Sequence, residues 1–447
     1  MSRFINLERG QKPKSFLLER METLVELAGH PERCAPSIHV AGSKGKGSVT
    51  SMLAAILTAA GYKAARYMSP HVIDIRERLC LGDTYFDEEI YIASGDELRH
   101  ITEELLPALS VSDSQAASLF GESAPNGCEP TFWELLTLLF FLCARKSNCD
   151  IMVVETGMGG RLDSTNVLDP LVSVITLIEL EHTSILGSTL SAIAGEKAGI
   201  IKQGRPLILA KQHAEALEVF KQKTKEKNSP LFYFPELAEI SNLKITKNGT
   251  EFSLSIFRDQ SSAINLQLSL PVPGKVQAEN AALAITALMT ADKMKINEDV
   301  IRNGLSGLKI PGRFEKIAES PPFIIDGAHT PESLALCAET FCSLYGEGGI
   351  LLFGCAADKD AEAMAKVAHN KFAKIIITAP GIFKISNPSH VYETFVKIAG
   401  QEKTALITDT QEAVRLAQKA QTEKERALPV LGTGSFYLVS EIRKYIL

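Results

Sequence analysis

Two rhythms of apolar residues run along the chain. Short, mostly apolar segments such as 38-IHVA-41, 64-AARY-67, 150-DIMVVET-156 and 171-LVSVITLI-178 are bounded by polar residues or glycine. Such segments suit strands buried on both faces of a parallel sheet. Between them the spacing changes. Met52, Leu53, Ile56 and Leu57 share one helical face, so Ser48 to Ala60 reads as a helix that Gly61 stops. The stretches 133-WELLTLLFFLCAR-145 and 277-QAENAALAITALMTA-291 read as further buried helices. Strands alternating with helices, with a glycine-rich loop after an early strand, predict a doubly wound α/β unit.

Some segments break the rhythm. Residues 78-RLCLGDTYF-86 read as a hairpin turning at Gly82-Asp83, and 243–270 as short β segments around Asn248-Gly249. The stretch 107–130, rich in Ser, Ala, Gly and Pro, reads as a long surface loop. A charged run at 292–299 and the turn Pro311-Gly312 mark a joint. Beyond it strands are expected at 323-FIID-326, 350-ILLFGCA-356, 374-KIIITAP-380, 404-TALITD-409 and 429-PVLGTGSF-436. At 447 residues the chain exceeds one ordinary core, so two domains are expected, 1–293 and 294–447.

Composition narrows the class. With 45% hydrophobic and 22% charged residues the chain reads as globular. A net charge of -6 speaks against nucleic acid or an anionic membrane as the main partner. The first residues lack an apolar signal core, and the run Leu135–Ala144 is too short to span a bilayer. A cytoplasmic location is therefore expected. The 8 cysteines form no C-x-x-C pair and read as buried thiols, which speaks against a zinc site.

The candidate chemistry lies at strand ends. In 39-HVAGSKGKGSVTSMLAAIL-57, a strand, a glycine turn and a helix N-terminus form an anion trap, with Lys46 able to reach phosphate and Ser48 able to ligate Mg²⁺. Only Ser43 and Lys44 separate Gly42 from Gly45-Lys46, shorter than the common G-x-x-x-x-G-K-[ST] spacing. Glu155 ends a buried strand beside a Gly-Gly turn, a place suited to holding Mg²⁺ or capping a helix. His182 follows another strand, and Lys197 lies among Ala, Gly and Ile, where an ammonium must be paired or modified. Arg313 can neutralise phosphate charge, while Asp326 and His329 follow a strand of the second series.

Together these clusters resemble the folylpolyglutamate synthase / dihydrofolate synthase family of the Mur ligase group. The matches are Gly42–Ser48 to GTNGKGS, Ser69-Pro70-His71, 155–166 to E-x-G-x-G-G-R-x-D-x-T-N, 181–187 to D-H-T-x-x-L-G, 196–200 to E-K-A-G-I, Pro311–Arg313, 326–331 to D-G-A-H-N-P and 433–438 to T-G-S-x-Y-L. The resemblance implies a two-domain α/β architecture. Its N-terminal P-loop-type, Mur-ligase-like domain would bind ATP and pterin, and its smaller C-terminal domain would be Rossmann-like. It implies that Gly45, Lys46, Gly47 and Ser48 cradle ATP with Asn280, Arg313 and Asp326. Ser48, Ser69, Glu155 and His182 would hold two Mg²⁺ ions, and Lys197 would be carbamylated. Thr131, Phe132 and Asp163 would line the pterin pocket, and His329 and Ser435 would place glutamate. Departures stand at Ser43-Lys44 for Thr-Asn, Glu181 for Asp and Thr330 for Asn.

The implied reaction transfers the γ-phosphoryl group of ATP to a carboxylate of dihydropteroate or a reduced folate. The amine of L-glutamate then displaces phosphate from the acyl phosphate. Lys46, Lys197, His182 and His329 are the catalytic candidates, and a monomer with small-molecule partners alone is expected. The rivals are a ligase acting on a nucleotide-linked muramyl peptide and a nucleotide-driven switch. Against the first stand the folate-like E-T-G-x-G-G-R-L-D and P-T-F-W-E stretches, and the second gives no reason for Glu155, His182, Lys197, Asp326 and His329 to coexist.

Overall fold

A computed structural model describes residues 16–107, 113–120, 130–257, 262–291, 294–381, 385–422 and 427–446. The first unit is built on strands β1 (Ser37–Ala41), β2 (Ala64–Tyr67), β3 (Leu79–Leu81), β4 (Thr84–Tyr85), β5 (Ile151–Glu155), β6 (Val172–Ile175), β7 (Leu207–Leu209) and β8 (Leu231–Tyr233). Their order across the sheet is β4-β3-β2-β5-β1-β6-β7-β8. The pairs from β2 across to β8 are parallel, and at the other edge β2–β3 and β3–β4 are antiparallel. Apolar residues cover both faces, which is why β1, β5 and β6 are buried at every position. On one side pack the helices Lys46–Ala59 and Lys275–Thr290, and on the other Leu18–Leu27 and Phe132–Lys146.

β1 lies between β5 and β6, with Val40 opposite Glu155 and Ala41 opposite Ile175. The glycine loop, Glu155 and the segment after β6 therefore leave the sheet side by side, at the strand ends where ligands of open α/β sheets bind. Strands β9 (Ala238–Thr246), β10 (Gly249–Phe257) and β11 (Ala263–Leu270) form a separate antiparallel sheet, with an apolar face in the same core as the glycine-loop helix. The turn at Asn248-Gly249 joins β9 to β10, as the sequence predicts.

The second unit carries β12 (Glu315–Glu319), β13 (Pro322–Ile325), β14 (Gly349–Phe353), β15 (Phe372–Ile377), β16 (Thr404–Leu406) and β17 (Val430–Thr433) in the order β12-β13-β17-β14-β15-β16. All pairs are parallel except β12–β13. β12 was not legible in the sequence, because 315-EKIAE-319 is short, charged and half-exposed at a sheet edge. The core of the first unit runs on through Ile301, Leu305, Leu308 and Ile310, beyond the expected boundary at 293. The helix Glu298–Ser306 rides so close to the glycine-loop helix that a Cβ on Gly304 would lie 2.6 Å from Ile56 Cα.

Two expectations need correction. Within 107–130, residues Ser114–Phe120 form a helix that buries Phe120 in the core beside Met21, under the Arg20 guanidinium. Among its described residues only Leu119 and Phe120 reach the core, and two adjacent apolar residues give no periodic signal; 108–112 and 121–129 lie outside the described residues. The described cysteines are all free, but Cys34 is exposed and Cys342 half-buried, while Cys128 lies outside the described residues.

The units also touch through the strap after β2. Val72 belongs to the hydrophobic core of the second unit with Ile317 and Val439, and its carbonyl accepts a hydrogen bond from Ser440 Oγ. Arg78 holds the strap from below, donating from Nε to His71 Nδ1 at 2.7 Å. No helix among the described residues is long and apolar enough to cross a membrane.

Candidate active site

One cavity of about 1810 Å³ opens between the two units. The glycine loop forms its floor. Gly42 sits at φ +145, and a Cβ there would fall 1.8 Å from Thr176 Oγ1, so only glycine lets the loop lie against β6. Ser43 N and Lys44 N both donate to Leu177 O, at 2.9 and 3.2 Å, which turns the loop into the helix Lys46–Ala59. Gly45 caps that helix at φ +88, and its missing side chain leaves room for Asn280 Oδ1. The loop and Asn280, 235 residues apart in sequence order (280 − 45), thus meet at one helix N-terminus.

The Gly42 carbonyl accepts two ammonium groups, Lys46 Nζ at 2.8 Å and Lys197 Nζ at 2.7 Å. Lys197 is fully buried behind the cavity wall and pairs with Glu181 Oε1 at 2.8 Å. Burial, with the Lys46 charge adding to it, lowers the Lys197 amine to about 8. Burial works to raise the Glu181 carboxyl, but Lys46 and Lys197 overcome it and hold that group at about 2. The cost of burying Lys197 is thus offset by Glu181, whose longer side chain stands where the family pattern has Asp.

The 155–166 motif is the scaffold beneath this pair. A Cβ on Gly160 would lie 2.9 Å from both Glu196 O and Lys197 O, and one on Gly199 would lie 2.3 Å from Arg161 Cα. Arg161 grips Glu196 at 2.9 Å, and Asn166 Nδ2 donates to Arg161 O and Gly199 O. Asp163 accepts from Gly157 N and Met158 N at 2.9 Å and from Thr165 Oγ1 at 2.5 Å. Asp163 lines the cavity, but its carboxylate is spent on shaping this turn. Behind it His39 Nε2 meets Thr165 Oγ1 at 2.8 Å, and burial keeps that imidazole neutral, with its pKa lowered to about 3.

At the end of β5, Glu155 accepts the Ser69 N–H on Oε2 at 3.1 Å. Burial raises its carboxyl to about 7, against the pull of Lys46. Ser48 and His182 line the same cavity, and burial holds His182 neutral at about 4. Among the described residues no three His, Cys, Asp or Glu side chains converge as a metal cage. One carboxylate, two hydroxyls and a neutral imidazole nevertheless fit Mg²⁺, which keeps waters and leans on substrate phosphates for the rest of its shell.

From the second unit come Arg313, Asp326, His329 and Ser435, all lining the cavity. The Arg313 guanidinium lies 4.2 Å from the centre of the Phe436 ring, whose other neighbour is the His329 ring. Gly327 leaves room for the Phe436 ring, since a Cβ there would lie 2.4 Å from Phe436 Cζ. Asp326 accepts Phe314 N and Ala328 N at 2.8 Å each, which fixes the turn after β13. Ser435 Oγ accepts Tyr437 N at 3.1 Å. Phe436 is a site residue that the sequence reading missed; an aromatic at the variable position of T-G-S-x-Y-L carries no signal of its own.

Among the residues expected to line a pterin pocket, one is displaced. Thr131 lines the cavity and caps the helix Phe132–Lys146 in a reciprocal box with Glu134. Phe132 points into the core instead, and Trp133, about 100° further round the helix, faces the cavity with Arg78 over its ring at 5.0 Å. Tyr67 and Met21 extend the same apolar wall.

Residues 102–288 match the Mur ligase middle domain and residues 312–434 the glutamate ligase domain of Mur ligases. The dihydrofolate synthase/folylpolyglutamate synthase of Bacillus subtilis is 31% identical over 443 residues, spanning 98% of this chain and 96% of its own. The chain belongs to the folylpolyglutamate synthase / dihydrofolate synthase family. Folylpolyglutamate synthase of Mycobacterium tuberculosis, solved with ADP and AMPPCP, superposes with a TM-score of 0.85 at 26% identity, covering 96% of this chain and 95% of that one. A synthase of the family in complex with AMPPCP and folate gives 0.81 at 27% identity, covering 100% and 97%. The family's departures here have structural places: Glu181 pairs with Lys197, and Thr330 caps the helix Pro331–Tyr345 through Ser333 N.

Proposed function

We propose that this protein is an ATP-dependent ligase joining L-glutamate to the carboxylate of a pterin substrate, dihydropteroate or a folate. The observation that carries the reading is the shared cavity: the glycine loop and Glu155 form one wall, Arg313, Asp326 and His329 face them, and an apolar wall of Trp133, Tyr67 and Met21 opens beside them. Relatives solved with AMPPCP, and with AMPPCP and folate, support it.

In this reading the loop N–H groups and Lys46 bind the ATP phosphates, and Arg313 faces them from the second unit. A carboxylate oxygen of the pterin substrate forms a bond to the γ-phosphorus as the β–γ bridge breaks, and ADP carries away the bridging oxygen. The glutamate amine then forms the C–N bond, phosphate leaves with the C–O electron pair, and the amine loses a proton to solvent or a nearby base. Mg²⁺ held by Ser48, Ser69, Glu155 and His182 would supply positive charge for the phosphoryl oxygens. The two walls exclude water from an intermediate that water would hydrolyse. The resemblance implies a carbamate on Lys197; the unmodified ammonium binds Gly42 O at 2.7 Å and Glu181 Oε1 at 2.8 Å, and intact mass under non-acidic conditions tests for the modification.

A monomer working in the cytoplasm completes the proposal, and light scattering on the purified protein tests the first part. The central test is phosphate release from ATP and Mg²⁺. It should require both a pterin acceptor and glutamate. Equal release without acceptor would point to a simple ATPase.

A further inference from the structure

Lys44 is the one cation of the glycine loop that does not turn back on the loop. Its chain crosses the cavity, and Nζ lies 3.5 Å from His329 Nε2 in the second unit. Glu179 and Glu181 act on it through space rather than by an ion-pair contact among the described residues. Lys46, two residues on, is committed to Gly42 O on the phosphate side. The two lysines of the loop therefore serve different walls.

The tautomer of His329 gives this crossing its meaning. Nδ1 lies 2.7 Å from Gly327 O, which can only accept, so Nδ1 carries the proton. Burial, reinforced by the Lys44 charge, holds the ring neutral at about 3. Nε2 is then a lone pair, able to accept from an ammonium and unable to donate to a carboxylate. The imidazole expected to place glutamate cannot itself bind a glutamate carboxylate. Lys44 can: one N–H points to His329, and two remain for an anion.

Resting on the ligase reading, we infer that Lys44 is a specificity-determining residue, its ammonium held across the cleft by His329 so as to bind a carboxylate of the incoming amino acid. A dianionic amino acid is then selected where the phosphate-binding and second units meet, and a substrate amide in that place would leave a buried cation without its partner. His329 acts through Lys44 as a positioning residue.

The experiment is steady-state kinetics of the full-length protein, varying glutamate, ATP and pterin in turn, for wild type, Lys44→Met and Lys44→Arg. Lys44→Met should raise the KM for glutamate by about tenfold or more, with the KM for ATP changed less than about threefold. Lys44→Arg, which keeps the charge, should recover most of the glutamate affinity, and this separates a charge contact from a folding defect. Glutamine and isoglutamine, each lacking one carboxylate, identify the contact: wild type should reject one of them more strongly than Lys44→Met does. An unchanged KM for glutamate, a rise confined to the KM for ATP, or no difference in amide rejection would each overturn the inference and leave the ligase reading standing. Phosphate release by wild type that ignores glutamate would overturn both.

Discussion

Lys197 Nζ and Glu181 Oε1 stand 2.8 Å apart behind the glycine loop, and the same ammonium reaches Gly42 O. The pair props the loop from below, because Gly42 can move only if Lys197 moves with it. Removing one partner leaves a charge that the surroundings cannot solvate. Glu181→Gln should therefore destabilise the protein by about 3 kcal/mol, seen as a lower midpoint in urea unfolding. Glu181→Asp should lose part of that. Glu181→Gln combined with Lys197→Met should recover part of it; a double variant as unstable as the sum of the singles would deny the coupling.

His39 provides a pH prediction. Burial holds its folded pKa at about 3, below the ordinary 6.5. The unfolded chain therefore binds the extra proton first as pH falls, and stability contributed by the neutral ring is lost between about 6.5 and 3. From pH 7 to pH 5 this one group should cost the wild type about 2 kcal/mol that His39→Gln does not lose. Denaturant titrations of both proteins at the two pH values make the comparison. Parallel losses would mean that His39 is hydrated in the folded state.

The legibility of this chain depended on what each residue touches. Buried strands such as Ile151–Glu155 announced themselves by unbroken apolar runs, and glycine motifs marked real close approaches, as at Gly42 and Gly160. Edge strand Glu315–Glu319 did not, since its charged, half-exposed residues look like any loop. Phe132 stands in for Trp133 in the sequence reading because a step of about 100° along one helix separates a core-facing from a cavity-facing side chain, and the sequence does not say which is which. Lys197 read as a cation that must be paired or modified, but Glu181, 16 residues earlier, gave no sign that it was the partner.

Phe436 touches both the Arg313 guanidinium, 4.2 Å from its ring centre, and the His329 ring, 6.4 Å from it. Phe436→Ala removes a cation–π contact of roughly 1 kcal/mol and frees the guanidinium to wander. ADP binding, read by calorimetry, should weaken about fivefold to tenfold. Phe436→Tyr should bind ADP like wild type. An unchanged affinity in the alanine variant would remove Arg313 from the nucleotide site.

In the proposed reaction phosphate passes to a pterin carboxylate before the amide forms. A pterin substrate carrying heavy oxygen in that carboxylate, incubated with ATP, Mg²⁺ and glutamate, tests it by mass spectrometry of the released phosphate. One labelled oxygen per phosphate is the expected result, because the C–O bond broken by the glutamate amine leaves its oxygen on phosphorus. Amide product formed with unlabelled phosphate would contradict the acyl-phosphate route and the account built on this cavity.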